Sequence, residues 1–154
     1  MELKRIDNIE EIIKDIIENK IPFNKVIGFR INDIQNGKIS IKFSMKDDLV
    51  GNYYFGILHG GVIASALDLV GGVTAFYALL NKYRDLSFEE KIRRLSTLGT
   101  IDLRVDYLRP GKGDWFIASS KILRLGRKVA VSRMELINDK KEVIAVGTGT
   151  YNVG

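Results

Sequence analysis

The sequence predicts an α+β fold in which one long central helix is wrapped by a curved antiparallel sheet. Three observations carry that prediction. The stretch from Gly60 to Asn81 holds a single charge, Asp68, amid apolar and small residues, as a helix buried against a sheet requires. Segments of alternating apolar and polar residues stand on both sides of it. The last four of these are joined mostly by hairpin-length turns, which makes their pairing antiparallel.

In chain order, Ile6, Ile9, Ile13 and Ile16, with Ile12 and Ile17, recur at helical spacing and predict an amphipathic helix over residues 6–20, ended by Pro22. Residues 25–34 and 37–45 read as strands. In the second, Ile39, Ile41, Phe43 and Met45 alternate with Lys38, Ser40, Lys42 and Ser44, and Asn36-Gly37 supplies the hairpin turn between the two strands. A loop over residues 46–58 leads to the long helix over residues 59–83. A short helix follows over residues 87–95. Ile101, Leu103, Val105 and Tyr107 alternate with Asp102, Arg104 and Asp106 in a strand stopped by Pro110 and Gly111. Residues 114–123, 128–137 and 142–151 are three more strands, with turns at Leu125-Gly126-Arg127 and Asn138-Asp139-Lys140.

One domain over residues 1–154 is expected, without linker, repeat or low-complexity segment. The chain has no cysteine and one histidine, so disulfides are excluded and no metal is expected. Residues 1–20 are too charged for a signal peptide, and a cytoplasmic protein is expected. The long apolar segment contains four glycines, Ser65, Asp68 and Thr74 and has no second span beside it, which argues against a membrane crossing. The net charge of +5 suits anionic partners or a solvated surface. No G-x-S-x-G elbow is present, and Ile57 stands where a P-loop beginning at Gly51 needs lysine. Aromatic residues are not interleaved with a basic patch, so no nucleic-acid partner is expected.

The chemistry concentrates in "LHGGVIASALD". A helix N-terminus leaves backbone N–H groups unpaired and partly positive, and glycine lets a ligand oxygen approach them closely. His59, Gly60 and Gly61 therefore read either as a carbonyl or oxyanion site or as a tight helix start with a hydrogen-bonded histidine. A carboxylate in an apolar helix needs a partner or a function. The helix neighbours of Asp68 are Ala64, Ser65, Gly71 and Gly72, none of which neutralises it. Either an arginine from elsewhere pairs with it, or the small residues admit a second helix or a substrate. Gly60 and Asp68 lie about 12 Å apart along one helix at 1.5 Å per residue, too far to act on one carbonyl. Two antiparallel copies, approaching along Gly61, Ser65, Asp68, Gly72 and Ala75, would bring them together across a dimer interface.

Together with "TIDLRVDYLRPG" and "RLGRKVAVSRMEL", this stretch resembles the hotdog-fold acyl-CoA thioesterases of the phenylacetate-degradation type, over about residues 25–152. The resemblance implies a homodimer or homotetramer with composite sites. It implies that the Gly60 N–H polarises the thioester carbonyl, that Asp68 of the other subunit attacks or activates water, and that His59 shapes the carbonyl site. Thr100 stands where relatives place a Ser or Thr that orients the water or carboxylate. Relatives carry Asn six residues before the histidine. Here Tyr53 stands there, and Asn52 takes the role if the loop carries one extra residue. Coenzyme A is then part of the substrate and no separate cofactor is expected. Arg109, Lys112, Arg124, Arg127 and Lys128 are candidates for its phosphates, and Tyr53 and Tyr54 for the acyl pocket. Rival readings are a non-catalytic acyl-CoA-binding hotdog protein and an acyl-thioester dehydratase or hydratase. Asp68 weighs against the first, and the absence of proline beside His59 against the second.

Overall fold

The structure, a computed structural model, describes residues 9–154. The start of the first expected helix, residues 6–8, lies outside the described residues. From Ile9 the helix runs as α1 (Ile9–Asp15) and then widens into a π-helical turn (Ile16–Lys20), closed by an Ile21 N–H bond to the Ile16 carbonyl of 3.2 Å. Pro22 does not end the helical region but opens a second helix, α2 (Pro22–Ile27). Its fixed φ suits a first helical turn. Gly28 closes α2 in the left-handed region at φ 90, so the strand expected from residue 25 begins only at Arg30.

Next come β1 (Arg30–Gln35), β2 (Lys38–Ser44), a 3-10 turn (Asp47–Leu49), β3 (Val50–Asn52) and β4 (Ile57–Leu58). The expected loop before the long helix therefore holds a short antiparallel pair, β3 with β4. The long helix is α3 (Gly60–Lys82), followed by α4 (Phe88–Thr97), β5 (Gly99–Tyr107), β6 (Trp115–Leu125), β7 (Val129–Asn138) and β8 (Val143–Asn152). Six strands form one sheet in the order β1-β2-β6-β7-β8-β5, antiparallel throughout. The hairpin turn is as expected, with Asn36 and Gly37 both at positive φ.

The sheet curves because its register slips. Asn32, Ile101, Leu123 and Ile144 each stand as an extra residue opposite a continuous partner strand. Such bulges bend a strand and increase its twist. The resulting trough receives α3. Ile63, Ala66, Leu67 and Val70 are buried against Phe43, Phe116, Met134 and Leu136 of the sheet. Burying one leucine such as Leu67 stabilises the fold by about 1.5–3 kcal/mol. By length and composition α3 is apolar enough to cross a bilayer, but its apolar face is occupied by the sheet. On its other face, Phe76 and Leu80 pack with Ile13 of α1 and Ile17 of the π turn in a separate cluster.

Candidate active site

The first turn of α3 is shaped by its cap. His59 is extended at φ −63, ψ 135, and its Nδ1 accepts the Gly61 N–H at 2.8 Å. The His59 carbonyl accepts from the Val62 and Ile63 N–H groups at 3.0 and 3.3 Å. The Gly60 N–H is thus the amide of this turn without an acceptor among the described residues. The turn is a tight, histidine-capped start that leaves one donor free. Tyr107, near the end of β5, donates its hydroxyl to the Gly60 carbonyl at 2.9 Å and fixes that peptide from the sheet side. Gly51 of β3 leaves room for His59, because a Cβ there would overlap the histidine backbone. Among the described residues, the Asn52 side chain makes no hydrogen bond to this turn. Its Oδ1 accepts the Tyr54 and Phe55 N–H groups at 3.1 and 3.3 Å and folds the loop that follows.

Two turns along α3, Asp68 is half-buried. No ion pair among the described residues involves it. Its Oδ1 instead accepts the Thr100 hydroxyl at 2.8 Å, from the start of β5. Tyr151 of β8 lies beside it and donates to the Asp68 backbone carbonyl at 3.2 Å. Burial first, then the Asp68 charge and hydrogen bonding, push the Tyr151 phenol well above the usual tyrosine range, so it stays protonated.

Tyr151 is the site residue that sequence reasoning missed. The available signal was Gly71-Gly72 inside a helix, each costing about 1 kcal/mol against alanine. A Cβ on Gly71 would overlap the Tyr151 hydroxyl, and one on Gly72 would sit 3.3 Å from the ring. Beside Gly72 and Ala75 stands Tyr151 of the same chain: Ala75 and Tyr151 are buried in one cluster. Only Gly61, Ser65 and Asp68 of the expected small-residue stripe keep exposed or half-buried surface.

An apolar cavity of about 180 Å³ opens beside Asp68 and Thr100 and runs past Val73 to Phe76. Tyr53 and Tyr54 do not line it. They are 88% and 80% exposed, stacked edge-on with one another in the loop before β4.

The cations divide into groups. Arg127 and Lys128 border one surface hollow with Arg93, Arg94 and Thr97, and another with Arg124. Lys112 stands over the Phe55 ring, 5.9 Å from its centroid. Arg109 donates to the Val143 carbonyl at 2.9 Å and secures the start of β8. Among the described residues, no three His, Cys, Asp or Glu side chains group as a metal site.

Residues 55–145 match the family described as the thioesterase superfamily. The medium/long-chain acyl-CoA thioesterase YigI of Salmonella typhimurium is 43% identical over 94% of this chain and 93% of its own. A Shewanella oneidensis crystal structure related to the thioesterase superfamily superposes with a TM-score of 0.90 at 44% identity, over 94% of each chain. A structure from Syntrophus aciditrophicus follows at 0.83 and 42% identity, covering 94% of this chain and 98% of that one.

Proposed function

The chain belongs to the thioesterase superfamily, and from that premise we propose that it hydrolyses medium- and long-chain acyl-CoA thioesters in the cytoplasm, releasing a free acid and coenzyme A. The observation that carries this reading is a carboxylate, Asp68, held by the neutral donor Thr100 at the polar end of an apolar cavity. An apolar acyl tail in the cavity places a thioester carbonyl beside that carboxylate. The 43% identity to YigI supports the chain-length class.

Asp68 and Gly60 act on one carbonyl only across two subunits, because their separation along α3 is about 12 Å. A homodimer is supported by β5, which among the described residues ends the sheet with no partner on its outer side and exposes Ile101 and Tyr107, with Leu108 exposed just beyond it. In that assembly the Gly60 N–H of one subunit binds the carbonyl oxygen. Asp68 of the other attacks the carbonyl carbon or takes a proton from the attacking water. The new C–O bond places negative charge on the carbonyl oxygen, and a preorganised N–H donor there is worth about 3–4 kcal/mol. Collapse breaks the C–S bond, and the coenzyme A thiolate departs. Where Asp68 attacked, water then cleaves the acyl–Asp68 anhydride to the free acid. Where Asp68 took the proton, it passes that proton to the thiolate or to solvent. Arg127 and Lys128, joined by Arg93 and Arg94, offer the cationic surface for its phosphates.

Free-thiol release from an acyl-CoA panel tests the reading. Wild-type enzyme should turn over dodecanoyl-CoA, and Asp68→Asn should lose about 10²–10⁴-fold in kcat. Binding without release would favour a non-catalytic acyl-CoA protein, and hydration of an enoyl-CoA a hydratase.

A further inference from the structure

The cavity beside Asp68 has a wall that the catalytic reading leaves unexplained. One side is α3, through Val73 and Phe76, and another is the end of α4, through Leu95 and Leu98. The outer side is the N-terminal segment, through Ile13 and Ile17. These two isoleucines are four apart, 2% and 1% exposed, and packed with Phe76 and Leu80 away from the main core. The π turn adds to the same wall: its five-residue repeat brings Ile16 and Ile21 onto the cavity together.

A helix whose only task was to cover α3 would close against it. Unfilled apolar volume lowers stability in proportion to its size, yet about 180 Å³ remains open here. The polar groups of the cavity, Asp68, Thr100 and Tyr151, stand together, with the apolar wall beyond them. Phe76 lies eight residues beyond Asp68, so the cavity extends about 12 Å along the helix. Its volume is close to the ~150 Å³ of an apolar cavity that binds benzene, enough for the first part of an acyl chain. A longer chain must displace a wall. The N-terminal segment is the outer of the helical walls. It is tethered by the Glu18 carboxylate, which accepts the Ile31 N–H at 2.9 Å and Arg30 at 3.2 Å, and by the Tyr77 hydroxyl donating to Glu10 at 3.2 Å.

The geometry points to the N-terminal segment as the outer wall of the acyl chamber, with Ile13, Ile17 and Phe76 setting the acyl length the enzyme accepts. This rests on the acyl-CoA reading above and adds to it the residues that select the chain.

The test is the ratio of kcat/KM for dodecanoyl-CoA to that for butanoyl-CoA. Ile17→Trp fills the chamber and should lower the ratio about tenfold or more. Phe76→Ala lengthens the chamber and should move the optimum to longer chains. Circular dichroism confirms folding, and if Ile17→Trp fails to fold, Phe76→Ala and Ile17→Ala carry the test. Ratios equal to wild type in the folded variants would overturn the inference and leave the hydrolase reading standing. If wild type releases no thiol from any acyl-CoA, the hydrolase reading falls. The chamber is then tested by calorimetric binding of dodecanoate: loss in Ile17→Trp or a changed affinity in Phe76→Ala supports it, and affinities equal to wild type overturn it.

Discussion

The Thr100 hydroxyl donates to Asp68 Oδ1 at 2.8 Å, from the first residues of β5 to the middle of α3. A neutral donor orients a carboxylate without cancelling its charge, which an arginine would do. Hydrogen bonds to charged groups are worth about 1.5–3 kcal/mol. Thr100→Val should therefore lower kcat about 10–100-fold with little change in KM. Steady-state kinetics on one acyl-CoA checks this. A raised KM with unchanged kcat would place Thr100 in binding alone.

Gly60 offers a cleaner test of the oxyanion donor. It is the first residue of α3, where proline is well tolerated, and His59 already has the extended backbone that precedes proline. Gly60→Pro thus deletes one N–H and should lower kcat about 10²–10³-fold with a near-normal melting temperature. Refolding Gly60→Pro together with Asp68→Asn then reads the assembly. Across a dimer interface, the mixed pair holds one site with an intact Asp68 and an intact Gly60. About a quarter of wild-type activity should return if subunits mix randomly. Sites built within one chain would stay inactive.

Tyr151 predicts an alkaline instability. Its phenol is raised above the ordinary value of 10.0 by burial and by Asp68. Above about pH 10 the unfolded chain releases a proton that the native chain keeps, so stability falls as pH rises, by at most about 1.4 kcal/mol per pH unit. Below pH 10 both states hold the proton and the contribution is constant. Urea titrations of wild type and Tyr151→Phe from pH 9 to 11 should diverge, wild type losing more stability.

The room around that ring can be tested directly. Gly71→Ala should destabilise by about 1–3 kcal/mol through overlap with the Tyr151 hydroxyl. Combining it with Tyr151→Phe should recover part of that loss. Additive effects in chemical denaturation would show that the two positions do not share the space.

The order of the longer helices and strands was legible because period and turn chemistry are local: Asn36-Gly37 makes its hairpin, and the glycines after His59 open α3. The separation of Gly60 and Asp68 followed from helix rise alone. Tyr151 was not legible, because it meets Asp68 across 83 positions of chain and looks locally like any strand residue. The gap at Gly72 had the same ambiguity: small residues announce close approach without saying what approaches. Pro22 misled because proline begins a helix as readily as it ends one. The apolar stripe of the N-terminal segment predicted a buried face, but not a cavity left open behind it.

The extra residue in β5 solves a problem of parity. Thr100 and Tyr107 are seven apart, so in a regular strand they would face opposite ways. Because Ile101 is counted out of the pairing and turned outward, both side chains reach α3, one at Asp68 and one at Gly60. A single ribbon thereby holds both the Asp68 carboxylate and the Gly60 carbonyl, eight residues apart on α3. Removing Ile101 would put the strand's two ends out of phase, freeing one grip whenever the other was kept.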